Sequence, residues 1–334
     1  MAQLIDECIV AWDSLSGFSD KLGWRIIQIY KIETMEFAAG RYFPENNESF
    51  LVRFSILNIS EKIDLPEGTG FTLEVADPNE DGHVWLAITR KQSGDLDIFK
   101  AIVSDISNQL LTLSGISHPH LLRFFLDRVR TWQEFMRKGA QPLSHEAEVG
   151  LYGELTLLKC ILEVGLSPSY SVNSWVGSLN HIQDFEIGLG AIEVKTTIST
   201  QSFIAKIGSL EQLDDRLRQP LFLAGIRLAQ IENGESLPDL ISQLHLLIAE
   251  DSEALRVFDE RMLKAGYISS HANKYLRKFN LSTMFFAEVL DKFPRIIHGK
   301  IPSEIKKVSY ELDISYLEEK SLNLGATLKI LGVN

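Results

Sequence analysis

The first part of the chain alternates apolar and polar residues with a period of two. This alternation covers residues 52–56, 71–75 and 84–88. Successive side chains of a strand point to opposite faces of a sheet, so a period of two places the apolar side chains on one face. The pattern therefore predicts three half-buried antiparallel strands.

Further along, the apolar residues recur about every four positions. Ile98, Ile102, Ile106 and Leu110 form one such series, and a second stripe runs over residues 122–136. A spacing of three or four residues aligns side chains along one face of an α-helix. Both stripes therefore predict amphipathic helices.

A short link, Gln141-Pro142-Leu143, follows the second predicted helix. The chain has 334 residues, which is long enough for about two domains, since a domain typically has ~100–200 residues. We therefore place a domain boundary here. A β-rich and helical domain covers residues 1–139, and a second domain covers residues 140–334.

The second domain begins with a predicted helix that ends near Glu163. Ser144 suits its N-cap, and the glutamates that follow favour the positive end of the helix dipole. The mostly apolar run at 221–228 is typical of a strand covered on both faces. The other predicted elements are strands at 182–187 and 191–198, a helix that begins at Ser236, and a last strand at 308–312.

The strands on either side of Gly188-Leu189 form a predicted hairpin, because glycine at the first loop position favours a type II′ turn. This loop pairs Ile187 with Gly190, and the pairing continued outward places Asp184 opposite Glu193. Directly opposed Cβ atoms lie ~4.5–5.5 Å apart, where like charges are destabilising. A divalent cation bound by both carboxylates would explain the arrangement. A three-residue loop would shift the pairing by one and abolish the opposition.

Glu193 and Lys195 point to the same face of their strand, whereas Ile192 and Val194 point to the other face and into a core. Two metal-binding carboxylates beside an ammonium suit phosphodiester hydrolysis. The metal lowers the pKa of a bound water, and the lysine orients that water or stabilises developing charge. Glu154 lies on an otherwise apolar helix face, where an unpaired charge is costly, so we expect it to reach the same metal or its waters.

The formal net charge of −12 contrasts with the basic surface of most DNA-binding proteins. A metal-binding site is itself acidic, so basic groups need only be local. The clearest basic segment covers residues 261–278, with Tyr267 and Tyr275 interleaved. Its alternative interpretation is an ordinary solvated surface. Its candidates for contact with nucleic-acid phosphates are Lys264, Lys274, Arg277 and Lys278.

The first residues lack the basic region of a signal peptide. No apolar run approaches the ~18 residues that span a bilayer. Cys8 and Cys160 are too few for a disulfide framework or a cysteine-rich zinc site. We therefore expect a cytoplasmic protein that does not contact membranes.

These motifs carry a resemblance to a known group of enzymes. Asp184, eight intervening residues and then Glu193-Val194-Lys195 are similar to the signature of the PD-(D/E)XK nuclease superfamily. The chain looks more particularly like a small family of bacterial PD-(D/E)XK proteins found among restriction and phage-defence genes. The further motifs that carry this likeness are Gly150-Leu151-Tyr152-Gly153-Glu154-Leu155, Trp175-Val176-Gly177 and Thr196-Thr197. The likeness is specific over about residues 133–230.

The resemblance implies an α/β (α+β) protein with a restriction-endonuclease-like αβββαβ core. It implies a Mg²⁺-dependent DNA endonuclease, with Mn²⁺ able to substitute. Asp184 and Glu193 would be metal ligands, Glu154 the helix carboxylate at that metal, and Lys195 the residue that positions water. A role in a bacterial restriction or phage-defence system is also implied. The N-terminal domain would then bind a partner protein or help to select DNA, and a second copy of the chain is another candidate partner.

Two positions depart from, or only loosely match, the superfamily. Its proline before the aspartate is Gln183 here, and Gln212 stands where some relatives have a helical glutamine. Two other functions stay open: a non-catalytic DNA-binding or assembly subunit with the same fold, and a hydrolase of RNA or nucleotides. For the acidic hairpin the simplest alternative is a solvated strand face, since Glu-x-Lys alone is common.

Overall fold

The computed structural model describes residues 2–17, 22–32, 35–54, 65–66, 68–80, 84–113, 118–179 and 181–333. They divide into two compact units, Met1–Gln141 and Pro142–Asn334. Over these ranges, the first unit has one sheet, and the second has two sheets with two apolar cores between its layers. No helix within these described ranges is long and apolar enough to cross a membrane.

Within the described residues, the first unit forms a five-stranded antiparallel sheet and three helices. The strands lie in the order β1-β2-β3-β5-β4. The elements in chain order are α1 (Ala2–Leu15), β1 (Gly23–Lys31), β2 (Met35–Phe43), β3 (Asn47–Phe54), β4 (Phe71–Ala76), β5 (Trp85–Arg90), α2 (Leu96–Thr112) and α3 (His118–Arg137).

The three strands predicted from the period of two are present as β3, β4 and β5, but only β4 is half-buried as expected; β3 and β5 are central strands, buried on both faces for most of their length. Strand β3 begins earlier than expected, and Ser55 and Ile56 of the predicted stretch lie outside the described residues. Strands β1 and β2 were not predicted. Strand β2 lies between β1 and β3 and is buried on both faces for most of its length, and its central residues do not alternate between apolar and polar.

Both helices predicted for the first unit are present as α2 and α3, with their apolar stripes buried. The stripe residues with almost no exposed surface are Ile102, Ile106, Leu110, Phe125, Val129 and Trp132. The carboxylate of Asp105 joins the two helices. It accepts hydrogen bonds from the guanidinium of Arg128 and, at 2.6 Å, from the indole Nε1 of Trp132.

The described part of the second unit contains a four-stranded mixed sheet, a two-stranded sheet and five α-helices. Its elements in chain order are α4 (His145–Glu163), α5 (Pro168–Ser174), β6 (Phe185–Ile187), β7 (Gly190–Thr197), β8 (Ile204–Ile207), β9 (Leu221–Ser236), α6 (Leu237–Leu247), α7 (Ser252–Lys264), β10 (Lys278–Glu288), β11 (Tyr310–Asp313) and α8 (Leu324–Ile330).

The mixed sheet has the strand order β10-β9-β7-β6. Strands β7 and β9 are parallel, and the other two neighbouring pairs are antiparallel. Taken in chain order, α4, β6, β7, β9, α6 and β10 give the predicted αβββαβ arrangement, with α5, β8 and α7 inserted. The predicted fold class is therefore confirmed.

The predicted helix starts of the second unit are confirmed by their caps. The side chain of Ser144 accepts a hydrogen bond from the amide of Ala147 at the start of α4. Ser236 and Asp239 form a reciprocal capping box at the start of α6. These caps satisfy backbone N–H groups that the first helical turn leaves without partners.

Strands β7 and β9 are covered on both faces. Ile192 and Val194 face a core that includes the apolar sides of the helices, together with Phe222 of β9. Ala191 and Leu223 face a second core, which includes strands β8 and β11. The prediction of a strand near 221–228 with two buried faces is confirmed, and the strand continues to residue 236.

Candidate active site

The hairpin between β6 and β7 has the predicted register. Its pairing runs outward from Ile187 and Gly190 over three successive pairs, which leaves Gly188-Leu189 as the loop. Gly188 has a φ of 60°, in the left-handed region that glycine adopts readily, and Leu189 has a negative φ. Positive φ at the first loop position alone identifies the predicted type II′ turn.

Asp184 lies one residue before β6, which begins at Phe185 and not at the predicted residue 182. The predicted backbone pairing of Asp184 with Glu193 is not formed, because the ladder ends at Phe185. Instead, Oδ2 of Asp184 accepts a 2.7 Å hydrogen bond from the amide N–H of Val194. The aspartate side chain is thus held directly against β7.

The Trp175–Gly177 segment holds the other side of Asp184. The amides of Val176 and Gly177 donate hydrogen bonds of 2.8 and 2.9 Å to the carbonyl oxygen of Asp184. A Cβ atom on Gly177 would lie 2.7 Å from Oδ1 of Asp184 and 3.1 Å from Oε2 of Glu154. A side chain would therefore press on both carboxylates, which flank this one position.

Glu193 and Lys195 share one face of β7, as predicted. The ammonium of Lys195 donates a 2.7 Å hydrogen bond to Oε1 of Glu193. Glu193 is 1% exposed, and its second oxygen, Oε2, is buried without a hydrogen-bond partner. Half of this carboxylate is therefore unsatisfied.

Glu154 reaches the site from α4. Its Oε2 accepts a 2.7 Å hydrogen bond from Nε1 of Trp175. Leu158, one turn later on the predicted apolar stripe, is fully buried in the core. The helix passes close to β7, since a Cβ atom on Gly153 would overlap the side chain of Thr196.

Burial raises the pKa of all three carboxyl groups. The pKa of Glu193 rises to about 8, and that of Glu154 rises well above its usual range, with Asp184 adding to burial in both cases. Burial also raises the pKa of Asp184, against the hydrogen bond from Val194 and the charge of Lys195. Burial disfavours the ammonium of Lys195, but the three carboxylates together raise its pKa.

The charge and chemistry of these groups fit a divalent cation. Three carboxylates and one ammonium carry a net charge of −2 when all are ionised. The orphaned Oε2 of Glu193 costs free energy until something binds it. Mg²⁺ uses one or two protein carboxylates and keeps several waters. Among the described residues, no group of three or more acidic, histidine or cysteine side chains is arranged to hold a metal ion by itself.

Comparison with known families gives a match that covers most of the chain. The family described as "Putative PD-(D/E)XK family member, (DUF4420)" matches residues 9–315. The chain belongs to this family. The matched range covers parts of both units, so the family is defined by more than its acidic hairpin. No match was found among curated proteins or among solved structures.

Gln183 stands at the position of the superfamily proline and makes a contact that proline could not make. Gln183 is buried, and its side-chain Nε2 donates a 3.3 Å hydrogen bond to the carbonyl of Glu211. This bond ties the loop after β8 to the residue that precedes Asp184. Gln212 lies in a turn and not in a helix, and its Oε1 accepts the amide N–H of Gly208 at 2.7 Å.

The four predicted phosphate contacts differ in their surroundings. Arg277 forms a 2.6 Å ion pair with the buried Glu148, and Lys264 forms a 2.6 Å ion pair with a glutamate one turn away on α7. These two side chains already have anionic partners. Lys274 and Lys278 are exposed. Contact of any of the four with nucleic acid stays a prediction.

Other members of the same basic segment are buried. The guanidinium of Arg261 donates hydrogen bonds to the carbonyl oxygens of Val172 and Trp175. Tyr267 is 8% exposed and Tyr275 is 3% exposed. The two tyrosine rings pack with each other inside the unit, so they do not offer the interleaved surface aromatics that the sequence suggested.

Proposed function

We propose that the protein is a Mg²⁺-dependent endonuclease that hydrolyses phosphodiester bonds in DNA. The observation that carries the proposal is the orphaned, buried Oε2 of Glu193, on the same strand face as Lys195 and close to Asp184. Membership of a PD-(D/E)XK family supports the same chemistry. A structural ion pair would not need a buried oxygen without a partner.

Asp184 and Glu193 would hold the metal, with Glu154 binding it directly or through its waters. The hydrogen bond from Val194 goes to Oδ2 of Asp184 and leaves Oδ1 on the side of Gly177 and Glu154. When bound, Mg²⁺ would lower the pKa of a coordinated water and neutralise charge that develops on the phosphate. Mn²⁺ also prefers carboxylate and water ligands, so it would bind the same residues.

Lys195 acts as a cation in this proposal. Its raised pKa keeps the ammonium protonated at neutral pH, so it donates hydrogen bonds and does not serve as a base. One N–H of the ammonium already donates a hydrogen bond to Oε1 of Glu193. The other two protons of the ammonium can orient the attacking water or stabilise a phosphate oxygen.

DNA contacts beyond the metal are assigned to exposed cations. Lys274 and Lys278 are the exposed members of the predicted set and can reach phosphates from solvent, although the charge of Lys278 also acts on the carboxylate of Asp239. We propose further that the first unit binds a partner protein or helps to select DNA. The role in a bacterial restriction or phage-defence system rests on the resemblance described above.

Cleavage of supercoiled plasmid DNA tests the proposal. The protein is incubated with Mg²⁺, with Mn²⁺ and with a chelator, and Lys195→Met and Glu193→Gln are compared with wild type. Matched controls are Lys206→Met and Glu311→Gln, which alter exposed residues of the cross-strand pair between β8 and β11. Metal-dependent nicking that only the first two variants lose supports the enzyme.

Other outcomes separate the alternatives. Binding of DNA without cleavage in any metal would support the non-catalytic subunit, and the endonuclease would be rejected. Preferential cleavage of RNA or mononucleotides, measured with the same variants, would keep the metal site but reject DNA as the substrate.

A further inference from the structure

Helix α7 contacts the acidic site through Trp175. Arg261 is buried on α7, and its guanidinium donates to the carbonyl oxygens of Val172 and Trp175. Phe258 lies one turn earlier on the same helix. Its ring packs against that of Trp175, with centroids 6.1 Å apart. The backbone and the ring of Trp175 are therefore both fixed by α7.

The bonding of Arg261 is unusual for a buried cation. Among the described residues it forms no ion pair; it binds two carbonyl groups at the end of α5. Carbonyls at the end of a helix lack i→i+4 partners, so a guanidinium can bind them; the carbonyl of Val172 also accepts the amide N–H of Trp175. Burial lowers the pKa of Arg261 to about 10, which still leaves it charged at neutral pH.

The Trp175–Gly177 segment in turn contacts Glu154 and Asp184. The indole N–H of Trp175 donates to Glu154, and the amides of the next two residues donate to the carbonyl oxygen of Asp184. An indole N–H is a neutral donor. It holds the carboxylate of Glu154 in one orientation without cancelling the negative charge that a cation requires.

We infer that Arg261 and Trp175 are positioning residues for the acidic site: Arg261 fixes the Trp175–Gly177 segment, and this segment orients Glu154 and Asp184. The inference rests on the proposed metal-dependent nuclease function. Arg261 then supports the acidic site from the protein interior, behind Trp175, and is not available for contact with DNA. Residues behind metal ligands typically change metal affinity or activity ~10–100-fold when they are replaced.

The first experiment needs neither metal nor DNA. The indole N–H resonance of Trp175 is identified by its loss in Trp175→Phe, and it is followed in the full-length, metal-free protein. Glu154→Ala and Arg261→Met should each shift it. Trp132→Phe is the matched control, because it removes an indole–carboxylate hydrogen bond in the first unit. A Trp175 resonance that Glu154→Ala leaves unmoved overturns the inference.

The second experiment measures Mn²⁺ affinity by calorimetry and DNA cleavage as separate kcat and KM values. Trp175→Phe and Arg261→Met should weaken Mn²⁺ binding ~10–100-fold and lower kcat, with little change in the KM for DNA. Arg261→Lys keeps the charge and donors, so it should recover part of the loss. Trp132→Phe should match wild type in both assays.

The outcomes distinguish the two claims. Mn²⁺ binding that the Trp175 and Arg261 variants leave at wild-type affinity overturns the positioning role but not the nuclease. A raised KM with unchanged kcat in Arg261→Met would assign that residue to DNA binding and overturn the role as well. Wild-type protein that binds no metal and cuts no DNA rejects the proposed function, and the resonance experiment then decides the positioning contact by itself.

Discussion

The amide N–H of Val194 donates a 2.7 Å hydrogen bond to Oδ2 of Asp184. The strand that carries Glu193 and Lys195 thus also holds the aspartate in place by its backbone. Since a backbone donor is unaffected by side-chain substitution, Asp184 stays oriented when its neighbours change. Its other oxygen, Oδ1, lies beside Gly177 and Glu154.

Replacing Asp184 by asparagine should abolish the response to metal without unfolding the protein. Asparagine keeps the size and an oxygen acceptor for Val194, but it removes one of the charges that hold the cation. We expect cleavage to fall by more than the ~10–100-fold that replacement of a residue behind a metal ligand costs. Mg²⁺ at about 100 times its Kd should stabilise wild type by about 2.7 kcal/mol and leave the variant's melting temperature unchanged.

Glu186→Gln is the control for that substitution. Glu186 lies two residues away on β6 and pairs with His181 and Arg218 at the surface. It should retain both cleavage and the thermal shift caused by Mg²⁺. If both variants lost cleavage and the thermal shift equally, the effect would come from the total negative charge near β6 and not from metal binding by Asp184.

The metal-free protein should lose stability as pH rises, because of Glu193. Its pKa is about 8 in the folded protein, above its ordinary value of 4.5. The folded state therefore holds a proton that the unfolded chain releases, and this contribution is lost between about pH 4.5 and pH 8. Glu193→Gln should remove that loss.

Thermal unfolding in a chelating buffer at a series of pH values measures this effect. The difference in melting temperature between Glu193→Gln and wild type should grow in favour of the variant up to about pH 8 and then level off. A constant difference across that range would contradict the raised pKa. Glu311→Gln, which changes an exposed glutamate, should follow wild type.

Gly177→Ala should damage catalysis more than stability. The new methyl group would lie 2.7 Å from Oδ1 of Asp184, so the carboxylates must shift. A displacement of about 1 Å can lower a rate ~100-fold. We expect a loss of that order in kcat, measured with plasmid DNA under saturating Mg²⁺.

Gly150→Ala is its matched control on α4. A Cβ atom at Gly150 meets nothing within 4 Å, although this residue lies one turn before Glu154. Alanine in a helix interior is favoured over glycine by about 0.5–1 kcal/mol. The control should therefore be slightly more stable and fully active, and a loss of activity there would weaken the steric explanation for Gly177.

The double variant Lys274→Ala with Lys278→Ala should weaken DNA binding at all sequences alike. Each phosphate contact contributes a released counterion, so the slope of log affinity against log salt should fall by about 2. Fluorescence anisotropy with labelled duplex DNA at several salt concentrations measures this slope. An unchanged slope would exclude both lysines from the interface.

The acidic hairpin could be predicted because its determinants are local in sequence. A glycine at the first loop position fixes the turn, the turn fixes the register, and the register sets the face of Glu193 and Lys195. The predicted pairing failed only at Asp184, one residue before β6 begins. There the Trp175–Gly177 segment competes for the backbone of Asp184 and ends the ladder.

The supporting contacts could not be predicted from spacing. Arg261 lies 86 residues after Trp175 in the chain, and its basic sequence neighbourhood predicts a surface cation. Only the packing of α7 shows that it is buried. Strand β2 could not be recognised because its central residues, Phe37-Ala38-Ala39-Gly40, are all apolar or small and do not alternate with polar ones.

Trp175 also gives the protein an optical signal of its own. Four of the five tryptophans lie before residue 142, and Trp175 is the remaining one. Its indole contacts a carboxylate of the acidic site, so its emission should depend on the charge beside it. The difference between the spectra of wild type and Trp175→Phe would isolate this fluorophore, and events at the site could then be followed in real time without a label.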